Sequence, residues 1–235
     1  RDAAALEGSA GDTVRWFTEQ RVDHFDPLNQ DVWSQRYFIN DTFYGGMGFP
    51  VFLCVGGEGP ALEPSVVQTG GVHCALMVDL AKKYGALILA LEHRFYGQSL
   101  PKADYSVESL RFLSSKQALE DIALFRKYIH DKLNMEDMYT SWATFGGSYP
   151  GMLAGWARLK YPHLFAASVA SSAPVEAVAD MEGYNNFVAS SMLDMSIGGA
   201  PECLWKVSAG FLRIGYLLKS EEGRSQLAED FSVCP

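Results

Sequence analysis

The chain has 235 residues, 48% of them hydrophobic and 20% charged, enough to bury one large core as an α/β-sized domain or a domain with an insertion. A formal net charge of −9 without a basic cluster argues against a nucleic-acid partner, and no apolar run approaches the roughly 20 residues of a membrane-spanning helix. No leader-like segment is visible at Arg1, which leaves a cytosolic chain, a mature one or one cut from something longer.

Residues 1–15 are rich in Ala, Gly and Ser and are expected to be a disordered segment. Phe17–Phe25 and Gln35–Ile39 read as strands with one polar face, suited to the antiparallel edge of a larger sheet. His24, followed by the turn signal Asp26-Pro27, reads as a strand-end residue rather than a ligand. Asn40-Asp41-Thr42 is a glycosylation sequon and points to a secretory origin. Pro50–Val55 is continuously apolar, as in a strand covered on both faces, and Cys54 within it reads as a small buried residue.

That strand runs into Gly56-Gly57-Glu58-Gly59-Pro60, which has neither the lysine of a P-loop nor the spacing of a dinucleotide fingerprint. Glycine-rich backbone at a strand end can instead approach a substrate oxygen, so Gly57 or Glu58 is expected to donate an N–H to an oxyanion hole. Glu58 is also a candidate to hold a substrate amine. Val72–Tyr84 has helical periodicity and ends in Lys82, Lys83 and Gly85, cations and a glycine that mark a helix C-terminus. Ala86–Leu91 is a second buried strand, followed by the charged turn Glu92-His93-Arg94-Phe95-Tyr96-Gly97-Gln98-Ser99. Arg94 is suited to anchor loop carbonyls and Tyr96 to line a pocket, while His93 and Arg94 are expected to be structural. Ser115–Leu133 is the clearest helix, with Ala118, Ile122, Phe125 and Ile129 on one face and Glu120, Asp121, Arg126 and Lys127 expected away from it.

Trp142–Phe145 reads as a buried strand and the periodic run from Met152 as a helix, with Gly146-Gly147-Ser148-Tyr149-Pro150-Gly151 between them. This is the layout of a nucleophile elbow, in which a strand-to-helix reversal lifts a serine hydroxyl out of the sheet. The strict pattern places glycine two residues after the serine; here Pro150 stands there, which the first turn of a helix tolerates. A glycine-rich turn with an incidental serine is the alternative. Phe165–Ala170 is a further strand, and the alternation of strands and helices implies a parallel sheet with right-handed crossovers. From Val175 the chain reads as helical, Met181–Met195 and Cys203–Leu218, interrupted at residues 197–201. The expected division is therefore an α/β core over 16–174 and a helical unit over 175–235. Among the four cysteines no C-x-x-C pair occurs, which argues against zinc. Cys203 and Cys234 lie in polar sequence and could pair with each other or with cysteines outside this chain.

The elbow, together with Glu92–Ser99 and Gly56–Gly59, resembles the S28 serine peptidases, the group of the lysosomal Pro-X carboxypeptidase, dipeptidyl peptidase II and the thymus-specific serine protease. The runs Leu110–Ala118, Phe165–Pro174 and Gly198–Cys203 are most similar to the thymus-specific branch. The resemblance spans about residues 16–235 and implies an α/β-hydrolase fold, a mostly parallel sheet with helices on both faces, carrying the beginning of a helical cap. It implies a secreted, endosomal or lysosomal glycoprotein that cleaves peptides, in two branches often beside proline, without a cofactor or metal. The implied chemistry is acyl transfer: Ser148 attacks the carbonyl, and the N–H groups of Tyr149 and of Gly57 or Glu58 hold the oxyanion, each worth about 3 kcal/mol of barrier.

In this fold the acid and the histidine follow the serine. The only histidine after Ser148 is His163, in a turn expected at the far end of the sheet. The chain is accordingly expected to be the nucleophile half of a longer protein, with the acid and base in a missing C-terminal half and little turnover by itself. On the family pattern Cys203 and Cys234 would bond to cysteines of that half. Two rivals are an esterase or lipase of the same fold and a non-catalytic binding module.

Overall fold

In the computed structural model, which describes residues 13–69, 74–136 and 139–233, six strands form one sheet. They are β1 (Val14–Arg21), β2 (Val32–Asn40), β3 (Val51–Val55), β4 (Leu87–Leu91), β5 (Trp142–Gly147) and β6 (Ala167–Ser171). Their spatial order is β1-β2-β4-β3-β5-β6. The β1/β2 and β2/β4 pairs are antiparallel, and β4, β3, β5 and β6 run parallel. The helices of this region are α1 (Ser65–Gln68), α2 (Ala75–Tyr84), α3 (Val107–Leu110), α4 (Ser115–Lys132) and α5 (Tyr149–Lys160).

The pleat explains the two continuous apolar runs. Val51, Leu53, Val55, Leu87, Leu89 and Leu91 pack with α4 and α5, while Phe52, Cys54, Ile88 and Ala90 pack with α1 and α2. Each central strand is buried on both faces, so no position is left for an alternating polar residue. Truncating one of these leucines to alanine in so closed a layer costs about 2–5 kcal/mol. Local signals set the helix ends: Ser114 caps α4 by accepting from Gln117 N at 3.2 Å, and Gly85 ends α2 at φ 66°.

Two expectations are corrected. Cys54 is not merely a small buried residue, since it forms a disulfide with Cys74, which immediately precedes α2 and ties that helix to β3. On α4, Asp121 and Arg126 do not point away from the core; both are buried. Asp121 stands three residues after Ala118 and Arg126 four after Ile122, so helical geometry carries both onto the apolar face. They are tolerated because Asp121 meets Arg94 as an ion pair and Arg126 lies over the Trp142 ring, 5.6 Å from its centroid. The first strand begins at Val14; the rest of the N-terminal segment, residues 1–12, lies outside the described residues.

Contacts divide the chain into two units, residues 1–175 and 176–235. The second is helical: α6 (Glu182–Leu193), α7 (Pro201–Leu217) and α8 (Glu221–Asp230), with α7 packed on both of the others. Many of its large apolar side chains, Trp205, Phe211 and Leu212 among them, are exposed. Among the described residues no helix is long and apolar enough to cross a membrane.

Candidate active site

β5 ends at Gly147 and α5 begins at Tyr149, so Ser148 alone makes the reversal. Its backbone sits at φ 59°, ψ −130°, a conformation that costs of order 1–3 kcal/mol for a residue with a Cβ and persists only when its surroundings enforce it. The enforcement is visible. Ser148 N donates to Ser171 O on the neighbouring strand at 3.0 Å, and Ser148 O accepts from Met152 N at 3.0 Å. A Cβ on Gly146 would overlap the Pro150 carbonyl, and one on Gly151 would stand 3.0 Å from both Gly146 O and Ser171 O. Close backbone packing, met in the strict motif by glycine two residues after the serine, is met here by Gly151, with Pro150 buried in the first helical turn. The Ser148 side chain is exposed at the carboxyl edge of the parallel strands.

The Gly56–Pro60 loop leaves the same edge from β3 and reaches the elbow. A Cβ on Gly57 would overlap the Pro150 ring and lie 3.4 Å from Tyr149 Cδ1. Among the described residues the N–H groups of Gly57 and Glu58 donate to no carbonyl, and Tyr149, the first residue of its helix, has no preceding turn to bond. Glu58 is exposed, and its charge acts on both Tyr149 and His93. Tyr96 is half-buried, its ring edge-on to His93 at 5.3 Å. Burial pushes the Tyr149 phenol up to about 12, helped by Tyr96 and Glu58.

The loop after β4 is closed on itself. The Glu92 carboxylate accepts from Arg36 at 2.6 and 3.2 Å, Leu62 N at 3.1 Å, Gln98 N at 2.9 Å and Ser99 Oγ at 2.8 Å. Arg94 is fully buried and spends its whole guanidinium: two bonds of 2.6 Å to Asp121, and others to Val22 O, Phe112 O and Arg21 O at 2.9–3.1 Å. Asp121 Oδ1 also lies 2.7 Å from His24 Nε2. Burial pushes the Asp121 carboxyl up, but Arg94 and His24 outweigh it and leave it below the usual carboxylate value. Arg94 therefore anchors loop carbonyls as its sequence setting implied, and His24 closes a buried ion network that no local motif announced.

Of the other singled-out residues, Asn40 ends β2, its Nδ2 donating to Val67 O at 2.8 Å and its Oδ1 accepting from Thr42 N at 3.0 Å. Cys203 is a free, exposed thiol, and Cys234 lies outside the described residues. His163 sits in the exposed turn between α5 and the start of β6, whereas Ser148 follows the end of the parallel strand β5, so the length of a strand separates them. Among the described residues no histidine hydrogen-bonds Ser148: His24 is held by Asp121, and His93 by Arg94 O and Tyr149.

A sheet of this strand order, helices on both faces and a lone serine at a strained strand-to-helix reversal define an α/β-hydrolase. A family model described as serine carboxypeptidase S28 matches residues 20–235, and the chain belongs to that family of serine peptidases. It is 44% identical to the thymus-specific serine protease of Mus musculus over 92% of this chain and 41% of that protein. The Homo sapiens protein of that name is 43% identical over 94% of this chain and 42% of its own length. The lysosomal Pro-X carboxypeptidase of Bos taurus is 33% identical over 93% of this chain and 43% of its own length. The chain thus spans about two fifths of the length of these relatives.

Proposed function

We propose that the protein to which this chain belongs is a serine peptidase working through an acyl-enzyme, with Ser148 as nucleophile. The carrying observation is the exposed Ser148 at positive φ beside the glycine-rich loop of Gly57. The N–H groups of Tyr149 and of Gly57 or Glu58 take the oxyanion, and Glu58 and Tyr96 line the substrate pocket, the carboxylate suited to a cationic group on the peptide. With His163 a strand length away and the other described histidines unbonded to Ser148, the base and its acid are assigned to sequence outside these residues, and the isolated chain is expected to turn over little or nothing. Exopeptidase action with a proline-related preference is the finer reading, prompted by the name of the bovine relative. The helical unit over 176–235 is read as the start of a cap domain.

The Cys54–Cys74 disulfide and the Asn40 sequon support a glycoprotein of the secretory pathway, delivered to a lysosome or outside the cell. The test sets peptides against p-nitrophenyl esters with the full-length protein. Peptide cleavage that vanishes in Ser148→Ala supports the reading. Hydrolysis of esters alone makes the protein an esterase, and neither activity in a folded full-length protein makes it a binding module.

A further inference from the structure

His93, expected to be structural, touches the one residue whose backbone completes the elbow. Its Nδ1 lies 2.8 Å from Arg94 O. A carbonyl only accepts, so Nδ1 carries the proton and Nε2 of the neutral ring is a bare acceptor. That nitrogen lies 3.0 Å from Tyr149 Oη, so the phenol donates to it. Burial is the main influence on the ring and disfavours its charged form. The imidazole is also clamped by aromatic edges, 5.3 Å from Tyr96 and 5.5 Å from Tyr149, and its own backbone carbonyl accepts from Tyr96 N at 3.1 Å.

Tyr149 shares a peptide plane with Ser148. Two backbone hydrogen bonds, from Ser148 N to Ser171 O and from Met152 N to Ser148 O, hold the serine side of that plane, and the Tyr149 phenol adds a tie from its other side to the loop after β4. We infer that His93 is a positioning residue of the elbow: through the Tyr149 phenol it fixes the Ser148–Tyr149 peptide plane, and with it the direction of the Tyr149 N–H toward the oxyanion. This rests on the peptidase reading above. In this role His93 makes no contact with substrate, and its loss is felt in the acylation step rather than in peptide binding, because the donor strengthens only as charge develops on the oxygen.

The experiment compares His93→Phe, Tyr149→Phe, the double variant and His93→Gln in the full-length protein, reading kcat and KM on a peptide and kinact for a fluorophosphonate. Each single substitution is expected to lower kcat and kinact about tenfold or more with KM little changed, as a donor displaced by a fraction of an ångström would. The double variant should be no worse than either single one, since both break the same tether. His93→Gln should recover much of the loss, because its amide oxygen can accept from the phenol. Losses that multiply in the double variant, or a His93→Phe protein that melts lower with kcat unchanged, would overturn the inference while leaving the peptidase reading intact. A wild-type protein inert to both peptide and fluorophosphonate would instead remove the peptidase reading, and the inference with it.

Discussion

The loop after β4 and the turn after β5 leave the same edge of the same sheet in opposite states. The first holds Glu92 and Arg94, both buried, with every charge consumed by neighbours. The second exposes a serine and has almost no charge, its conformation held by main-chain bonds and glycine-sized gaps. Buried charges must be matched where they lie, so a charged motif on an interior loop builds scaffold. A reacting group needs the reverse, a rigid backbone and an unsatisfied side chain facing outward. The two states depend on each other, because the closed loop supplies His93, to which Tyr149 is tethered.

Breaking the closed region should cost the most. Asp121→Asn leaves Arg94 buried without its counter-ion, and a loss of about 3–5 kcal/mol in urea unfolding is expected. A loss below about 1 kcal/mol would mean that the network is not the scaffold described. The pH dependence follows from the sign of the Asp121 shift. The folded carboxyl lies below its unfolded value near 3.9, so its contribution is complete above that pH and disappears as the pH falls through the lower folded value. Stability measured below about pH 4 should therefore fall less steeply in Asp121→Asn than in the wild type.

Next in size is the disulfide. Replacing Cys54 and Cys74 by alanine opens a loop with a sequence separation of 20, and about 3 kcal/mol of stability should be lost. The urea midpoint of the double variant against that of the wild type measures it. Gly57→Ala then attacks the open region alone. The new methyl meets the Pro150 ring, so the loop must move off the elbow, at about 1–3 kcal/mol and with a loss in kcat larger than that in stability would suggest. Smallest is Glu58→Gln, which should leave melting unchanged while weakening selection for peptides with a cationic group near the scissile bond, read as the ratio of kcat/KM for matched cationic and neutral peptides. An unchanged ratio would remove Glu58 from the pocket.

Much of the architecture was legible because it rests on local rules. The runs at Pro50–Val55 and Ala86–Leu91 could only be strands buried twice over, and Lys82-Lys83-Tyr84-Gly85 marked a helix end that the structure places at Gly85. The elbow was legible for the same reason, since a strand, two glycines, a serine and a helix leave few ways to turn. What escaped was pairing at a distance. Cys54 and Cys74 belong to different elements, and nothing near either names the other. Asp121 seemed solvent-facing because it is charged, although its spacing from Ala118 and Phe125 already put it on the buried side of α4. Its partner Arg94 is 27 residues away in sequence, a contact that only the packing of α4 on the sheet creates.

The most direct measurement is mass-spectrometric mapping of a fluorophosphonate adduct on the folded full-length protein. A single adduct on the peptide containing Ser148, absent from Ser148→Ala, is the predicted result. An adduct on a different serine, or none while the protein cleaves peptides, would contradict the assignment of Ser148 as nucleophile.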